Sequence, residues 1–215
     1  KALAFAVTHP EPHGNVSTEI HRSGGPFTLV PLPDRAGSPA SAVVWMERGA
    51  EVERLAALPP PAFEAAMTDR SCGVLGTLRL ASRRSVWPII SQIARRMTAP
   101  RIALMAEAAH VVPPIGAQGL NMSLADLAAL LDLARADPAG LGEPAMLAAY
   151  ARAREAEVHL RVLGIDMLNR ASMPGAPPLA RARGAALSAL HGLAPLRRVL
   201  MQAGLGTRGA RPAGP

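Results

Sequence analysis

The sequence predicts an α/β chain of α+β character: an antiparallel-rich sheet, then a strand–loop–helix unit, then a helical C-terminal region. Three observations carry this. Short strand-like runs broken by Pro and Gly turns fill residues 1–100. From Leu120 the apolar residues fall at Leu120, Leu124, Leu127, Leu131 and Ala134, the three-and-four spacing of one face of an amphipathic helix. A second helix is expected to open at Pro144, a favoured first-turn position, and to run through Ala145–Ala171. The chain therefore divides into residues 1–100, 101–142 and 143–215.

Taken in order, Ala2–Thr8 is a short apolar strand, and residues 9–15 (HPEPHGN) form a loop by their Pro, Gly and Asn content. Val16–Arg22 alternates Val16, Thr18 and Ile20 against Ser17, Glu19 and His21, the period of a half-buried strand. Ser23-Gly24-Gly25-Pro26 makes a turn, and Phe27–Leu32 follows as a third strand. Pro33 to Pro39 reads as another turn before the strand Ser41–Glu47. Tight turns between short strands imply antiparallel pairing. Residues 49–58 and 60–70 have helical composition, with Pro60 and Pro61 opening the second helix. Thr77–Ile93 returns to strand character around a turn at Arg83 and Arg84, and Arg101–Met105 is a short buried strand. Asp137-Pro138-Ala139-Gly140 ends the helix that starts at Leu120. A Pro/Gly-rich link, Met173–Pro178, precedes a last helical region from about Ala185, interrupted at Pro195 and stopped at Gly204.

Composition removes several classes. With 215 residues and 49% hydrophobic content the chain can bury a core, as one large domain or two small ones. The lone Cys72 excludes a disulfide framework and a Cys-based zinc site, and is expected to be a buried or half-buried filler. No apolar run approaches the ~20 residues of a spanning helix, and no signal-peptide pattern is present. The chain opens Lys-Ala-Leu-Ala-Phe, without Met and already inside an apolar run, as a sequence entered midway would. His9, His13 and His21 are spaced by four and eight across a loop and a strand with no acidic cluster, so no metal site is expected.

The net charge of +7 is placed unevenly. Residues 1–149 balance 13 Lys/Arg against 13 Asp/Glu, whereas ten Arg from residue 150 onward face only Glu155, Glu157 and Asp166. Neither a nucleic-acid reader motif nor basic–aromatic interleaving accompanies them, so nucleic acid is not an expected partner. Leu187, Leu190, Leu193, Leu196 and Leu200 beside Arg197 and Arg198 offer either a solvated helix or peripheral attachment to an anionic membrane.

The chemistry concentrates between Arg101 and Asp126. There a strand delivers the carboxylate Glu107 and then His110, and Pro113-Pro114 forces a rigid extended path. Gly116 and Gly119 permit close backbone approach to a flat ligand. The helix beginning near Leu120-Asn121 turns its unpaired N–H groups and positive dipole end back toward that loop. Carboxylate, glycine loop and helix start together suit a polar, electron-accepting ligand.

This stretch resembles the second flavin-contacting motif of aromatic-ring hydroxylases of the p-hydroxybenzoate hydroxylase type, and more narrowly the ubiquinone-biosynthesis hydroxylases. Their pattern is Gly-Asp-Ala-Ala-His, two or three residues, then Pro-Pro-Ile-Gly-Ala-Gln-Gly-Leu-Asn. Ala108, Ala109 and His110 match it, and Pro113 through Asn121 match without a gap. A weaker likeness covers most of the chain, through Val30-Pro31-Leu32-Pro33, Val44-Trp45 and Ala99-Pro100-Arg101.

The resemblance implies FAD as cofactor, NAD(P)H as reductant and O2 as co-substrate. It puts Glu107 in the place of the acid that binds the ribityl chain and Pro114 beside the isoalloxazine. Backbone N–H groups of Leu120 and Asn121 would face the pyrimidine end, with Gly116, Ala117, Gln118 and Gly119 completing the cofactor loop and His110 supporting it by hydrogen bonding. No protein side chain is assigned as catalytic; a C4a-hydroperoxyflavin would transfer OH to an activated phenol ring. Two departures stand out. Ala106-Glu107 replaces the family's Gly-Asp, and the Gly-x-Gly-x-x-Gly turn that holds the ADP half of FAD is absent. The resemblance thus implies the C-terminal part of a longer hydroxylase, which alone binds FAD weakly or not at all and is inactive.

The implied substrate is a small aromatic, a (poly)prenylated phenol of ubiquinone biosynthesis, held on the sheet face opposite the proline loop. Trp45, Trp87, Phe27 and Phe5 are candidate lining residues. The implied location is cytoplasmic, peripheral on the inner face of the cytoplasmic membrane, within a quinone-biosynthesis assembly. Two alternatives remain: a flavin monooxygenase of a soluble aromatic, and a non-catalytic membrane-associated scaffold derived from a hydroxylase.

Overall fold

A computed structural model describes residues 1–22, 24–114, 118–172, 192, 193 and 195, and separates two units built around Lys1–Ile89 and Ile90–Leu168. In the first, β1 (Ala2–Thr8), β2 (Thr18–Ile20), β3 (Phe27–Arg35) and β4 (Ser38–Met46) join β5 (Arg79–Leu80) in the order β2-β3-β4-β1-β5, with β6 (Ser85–Trp87) also on β1. Every pairing in this sheet is antiparallel, as the tight turns predict. One cross-strand row runs Ile20, Phe27, Trp45, Leu3 and Val86 through successive partners. Cross-strand pairs of this kind are the unit of sheet stability.

Helices α1 (Gly49–Ala57) and α2 (Pro60–Arg70) cover the buried face through Val52, Leu55, Phe63 and Met67. Arg70, in the last turn of α2, is 4% exposed and donates to the carbonyls of Ile20 and Gly25 at 3.3 and 2.6 Å. It thereby ties the helix to the β2–β3 turn.

Two elements differ from expectation here. The turn expected over Pro33–Pro39 shrinks to Ala36-Gly37, both at positive φ, and both prolines lie inside strands. β2 runs beside only Phe27–Leu29, so Pro31 and Pro33 fall beyond it, where no neighbour needs their missing N–H. The strand character of Thr77–Ile93 resolves into β5, β6 and β7 (Gln92–Ile93), each two or three residues long. Cys72 is exposed rather than buried, at φ +55° in the turn after α2.

In the second unit, β8 (Thr98–Ala99) and β9 (Ile102–Ala103) form a small hairpin, β10 (His110–Val111) pairs with β7, and α3 (Gln118–Ala136) and α4 (Pro144–Ser172) supply the helices. The expected buried strand Arg101–Met105 is only the two residues of β9, and Ile102 is 53% exposed. Arg101, at φ +58°, turns the chain back on β8, and a 3-10 turn takes over at Ala106–Ala108.

α3 also buries a different face from the expected one. Leu120, Leu124, Leu127 and Leu131 are 41–68% exposed. Met122, Asp126, Ala129, Leu130 and Leu133 lie inward, against Tyr150, Val158, Val162 and Ile165 of α4. Both faces of α3 are apolar enough to pack, and the buried charge of Asp126 selects the one that meets its partners. Among the described residues no helix is long and apolar enough to cross a membrane. The link Met173–Pro178, and the expected last helix with its leucine and arginine faces (apart from residues 192, 193 and 195), lie outside the described residues.

Candidate functional site

The site is built on a short, tightly held turn. Met105 arrives extended, Ala106 adopts φ +54°, and the 3-10 turn Ala106–Ala108 delivers the chain into β10. Left-handed backbone costs a residue with a Cβ about 1–2 kcal/mol. Here it is held from inside: the Ala106 N–H donates to Asp126 Oδ2 at 2.9 Å. The position is the one where the motif that this stretch resembles carries glycine, the residue that adopts a left-handed backbone at no steric cost. Ala106→Gly removes that cost, offset by about 0.4–1 kcal/mol of glycine's extra unfolded-state entropy. A net gain of roughly 0.5–1 kcal/mol in urea unfolding is expected; a loss would show that the turn is not left-handed.

The turn presents Glu107 outward. Its side chain is exposed and, among the described residues, has no hydrogen-bond or ion-pair partner. It lines a pocket of about 350 Å³ between β7 and the segment Glu107–Val111, which His110 also lines. A carboxylate accepts hydrogen bonds, so Glu107 gives this pocket acceptor oxygens.

Beneath the turn lies a buried polar network. Asp126 is 0% exposed; its Oδ2 accepts His110 Nε2–H at 2.7 Å, and its Oδ1 accepts Arg154 Nε–H at 2.8 Å. Arg154 also pairs with Glu157, which in turn accepts from Arg161 Nε at 2.8 Å. Burial disfavours the charged guanidinium, but the Asp126 hydrogen bond and the Glu157 charge outweigh it and raise the Arg154 pKa. Arg161 further donates to Gln118 Oε1 at 3.1 Å, joining α4 to the start of α3.

Tyr150 completes this layer, donating its hydroxyl to the Leu104 carbonyl at 2.8 Å. Burial, reinforced by the Asp126 charge, pushes its pKa up to about 12 from 10. A raised folded-state value means that its contribution to stability is full below pH 10 and fades as pH climbs toward 12. Tyr150 is the chain's single tyrosine, so the ultraviolet tyrosinate band reads it alone. A midpoint near 12 is expected for the folded protein; one near 10 would place the ring in water.

Of the remaining motif residues, Pro113 is buried and Pro114 exposed. Gly116 and Ala117 lie outside the described residues, and α3 is described from Gln118. Leu120 and Asn121 therefore sit in its first turn, whose leading backbone N–H groups have no intrahelical acceptor. A Cβ on Gly119 would touch only Val112 Cγ2, at 3.9 Å, an ordinary contact. Nothing inside the described fold therefore requires glycine at position 119.

The structure brings Phe27 and Trp45 together, but in the core of the first unit: they are 0% and 4% exposed and meet edge to face at 5.4 Å. Phe5 joins the same cluster, whereas Trp87 is 60% exposed on β6. His9 is buried, its Nδ1 against the Glu11 carbonyl and its Nε2 against Ser41 Oγ. Asp126, Arg154 and Tyr150 were not among the candidate residues, yet their signal is local. Tyr150, Arg154, Val158, Val162 and Ile165 recur at helical spacing, and Asp126 follows Met122 by four. Opposite charges within two apolar stripes imply a buried pair.

Glu107 and His110 thus line one pocket ahead of the start of α3. Comparison with known proteins defines the class. The FAD binding domain model matches residues 3–162, and the chain belongs to that family. It is 33% identical to the ubiquinone hydroxylase UbiL of Rhodospirillum rubrum over all of this chain and 50% of that protein. It is 25% identical to the 3-demethoxyubiquinol 3-hydroxylase of Escherichia coli over 85% of this chain and 46% of that one. The chain thus spans about half the length of the curated relatives it matches. Among solved structures, the Diels-Alderase PyrE3 of pyrroindomycin biosynthesis shares the fold, with a TM-score of 0.68 at 22% identity over 98% of this chain and 44% of that one.

Proposed function

We propose that this chain supplies the flavin-ring half of the site in an FAD-dependent, NAD(P)H-reduced monooxygenase that hydroxylates a prenylated phenol of ubiquinone biosynthesis. The observation that carries it is Glu107, which lines a pocket without a partner among the described residues, just after a left-handed turn at the motif's glycine position. The names of the relatives support the substrate class.

The residues present fit FAD. Glu107 would accept hydrogen bonds from the ribityl hydroxyls, and Pro114 would lie beside the ring. The first-turn N–H groups of α3 at Leu120 and Asn121 would meet the negative edge of the reduced flavin, worth about 0.3–2 kcal/mol. Gly119 would leave room for the ring, since among the described residues a Cβ there would meet only Val112 Cγ2, at 3.9 Å. His110 would hold the turn through Asp126. Bound there, FAD supplies the redox and oxygen chemistry, taking hydride from NAD(P)H and delivering one oxygen atom of O2 to the phenol. Trp87 is the candidate lining aromatic with most of its surface free for substrate. The Arg-rich C-terminal third is proposed to meet an anionic membrane surface on the cytoplasmic side, alongside other quinone-biosynthesis proteins.

FAD titrated with the 215-residue chain should give a weak but saturable rise in flavin fluorescence polarisation, and Glu107→Ala should weaken it about tenfold, or ~1.4 kcal/mol. The product of the full-length gene should be yellow and oxidise NAD(P)H faster when a prenylated phenol is added. A colourless full-length protein, or a Glu107→Ala chain that binds FAD as its parent does, overturns the proposal.

A further inference from the structure

Asp126 has three donors on two oxygens, and they come from three elements: the Ala106 N–H of the 3-10 turn, the His110 ring of β10 and the Arg154 guanidinium of α4. Two of the three lie on either side of Glu107. The residue immediately before Glu107 is the one in the left-handed form. A backbone N–H that donates to a fully buried carboxylate cannot swing to solvent without breaking a charge-assisted bond. The same carboxylate holds His110, three residues beyond Glu107, on the far side of the turn. Arg154 in turn holds the carboxylate in place, because α4 cannot withdraw without breaking their 2.8 Å ion pair.

We propose that Asp126 is a positioning residue: it locks the left-handed turn at Ala106, so that the Glu107 carboxylate faces the pocket. It never touches the ligand and acts through Ala106. Alanine here replaces the glycine that would favour this turn by itself, so the chain depends on Asp126 for the geometry. The inference rests on the flavin reading for the identity of the ligand, but the lock itself is a property of the turn.

The test uses the full 215-residue chain and four proteins: parent, Asp126→Asn, Ala106→Gly and the double variant. Asparagine keeps the volume and leaves one carbonyl oxygen for three donors. Should Asp126→Asn fail to fold by far-ultraviolet circular dichroism, Asp126→Asn in an Arg154→Met background removes the unpaired guanidinium and takes its place. Two quantities are read: exchange of the Ala106 amide without FAD, and FAD affinity by flavin polarisation. Asp126→Asn should speed Ala106 exchange and weaken FAD binding, each by about tenfold.

The diagnostic is the rescue. Ala106→Gly should improve FAD affinity at least about threefold more in the Asp126→Asn background than in the parent, since only there is the turn partly lost. A role confined to the α3–α4 ion pair predicts equal gains in both backgrounds, and that result overturns the proposal. Faster Ala106 exchange with unchanged FAD affinity also overturns it. If no protein, parent included, binds FAD, affinity is read instead in the product of the full-length gene, in the same four forms. No FAD binding there, with Ala106 exchange in the predicted order, means that the flavin reading fails and the lock stands.

Discussion

Arg154→Met is expected to cost the second unit about 3–5 kcal/mol, the penalty for breaking a buried ion pair by removing one partner. Methionine preserves most of the arginine stem's packing among Met122, Tyr150 and Val158, so the loss reports charge and hydrogen bonding. What remains is a carboxylate of 0% exposure with only His110 and the Ala106 N–H as donors. A buried carboxylate that has lost its guanidinium partner is costly to keep out of water. Urea unfolding, with amide exchange along Tyr150–Ile165, measures the effect. The partner control is the double variant Arg154→Met, Asp126→Asn, which removes both charges and should recover a large part of the loss, because replacing a whole buried pair is often close to neutral. A single-variant cost under about 1 kcal/mol would mean that water reaches Asp126.

That network also shows where sequence reasoning reaches its limit. The strand Ala2–Thr8, the part of β4 from Ser41 to Met46 and the Pro60–Arg70 helix were legible because alternation and proline placement are local signals. The helical spacing from Leu120 was equally clear, and α3 is there. Spacing shows that a face exists and not which face is buried; the leucines point out, and the face bearing Asp126 points in. The decision lies with Arg154, 28 residues away. In the same way Pro33 reads as a turn residue until the short β2 shows that its edge of β3 is free. At the site, the helix expected to begin near Leu120-Asn121 begins two residues earlier, at Gln118. Without the fold, the exchange of glycine for alanine at position 106 looked only like a weakened motif. With it, a buried carboxylate is seen holding the backbone in the form that glycine favours.

Phe63→Ala is the second large effect, about 3–5 kcal/mol lost from the first unit. Phe63 is fully buried where α2 meets the sheet. Its ring takes the edge of Phe5 at 5.1 Å, lies 5.9 Å from Trp45, and carries the Arg84 guanidinium 4.7 Å above its face. Truncation loses the transfer energy of the ring and opens a cavity that the neighbours fill poorly, since Phe5 and Trp45 sit on paired strands in fixed register. It also strips the apolar cover from Arg84, which donates to the Leu55 and Leu58 carbonyls at the end of α1. Helix α1 should therefore fray in the same variant. Trp45 supplies the readout, because its fluorescence in a Trp87→Phe background is the only indole signal and should shift to the red as water enters. Trp87→Phe itself, at a site 60% exposed, should move stability by no more than about 0.5 kcal/mol. If Phe63→Ala and Trp87→Phe lowered the unfolding midpoint equally, the aromatic cluster would not be the keystone of this sheet–helix layer. The stability would then have to come from the backbone ladder between β1, β3 and β4.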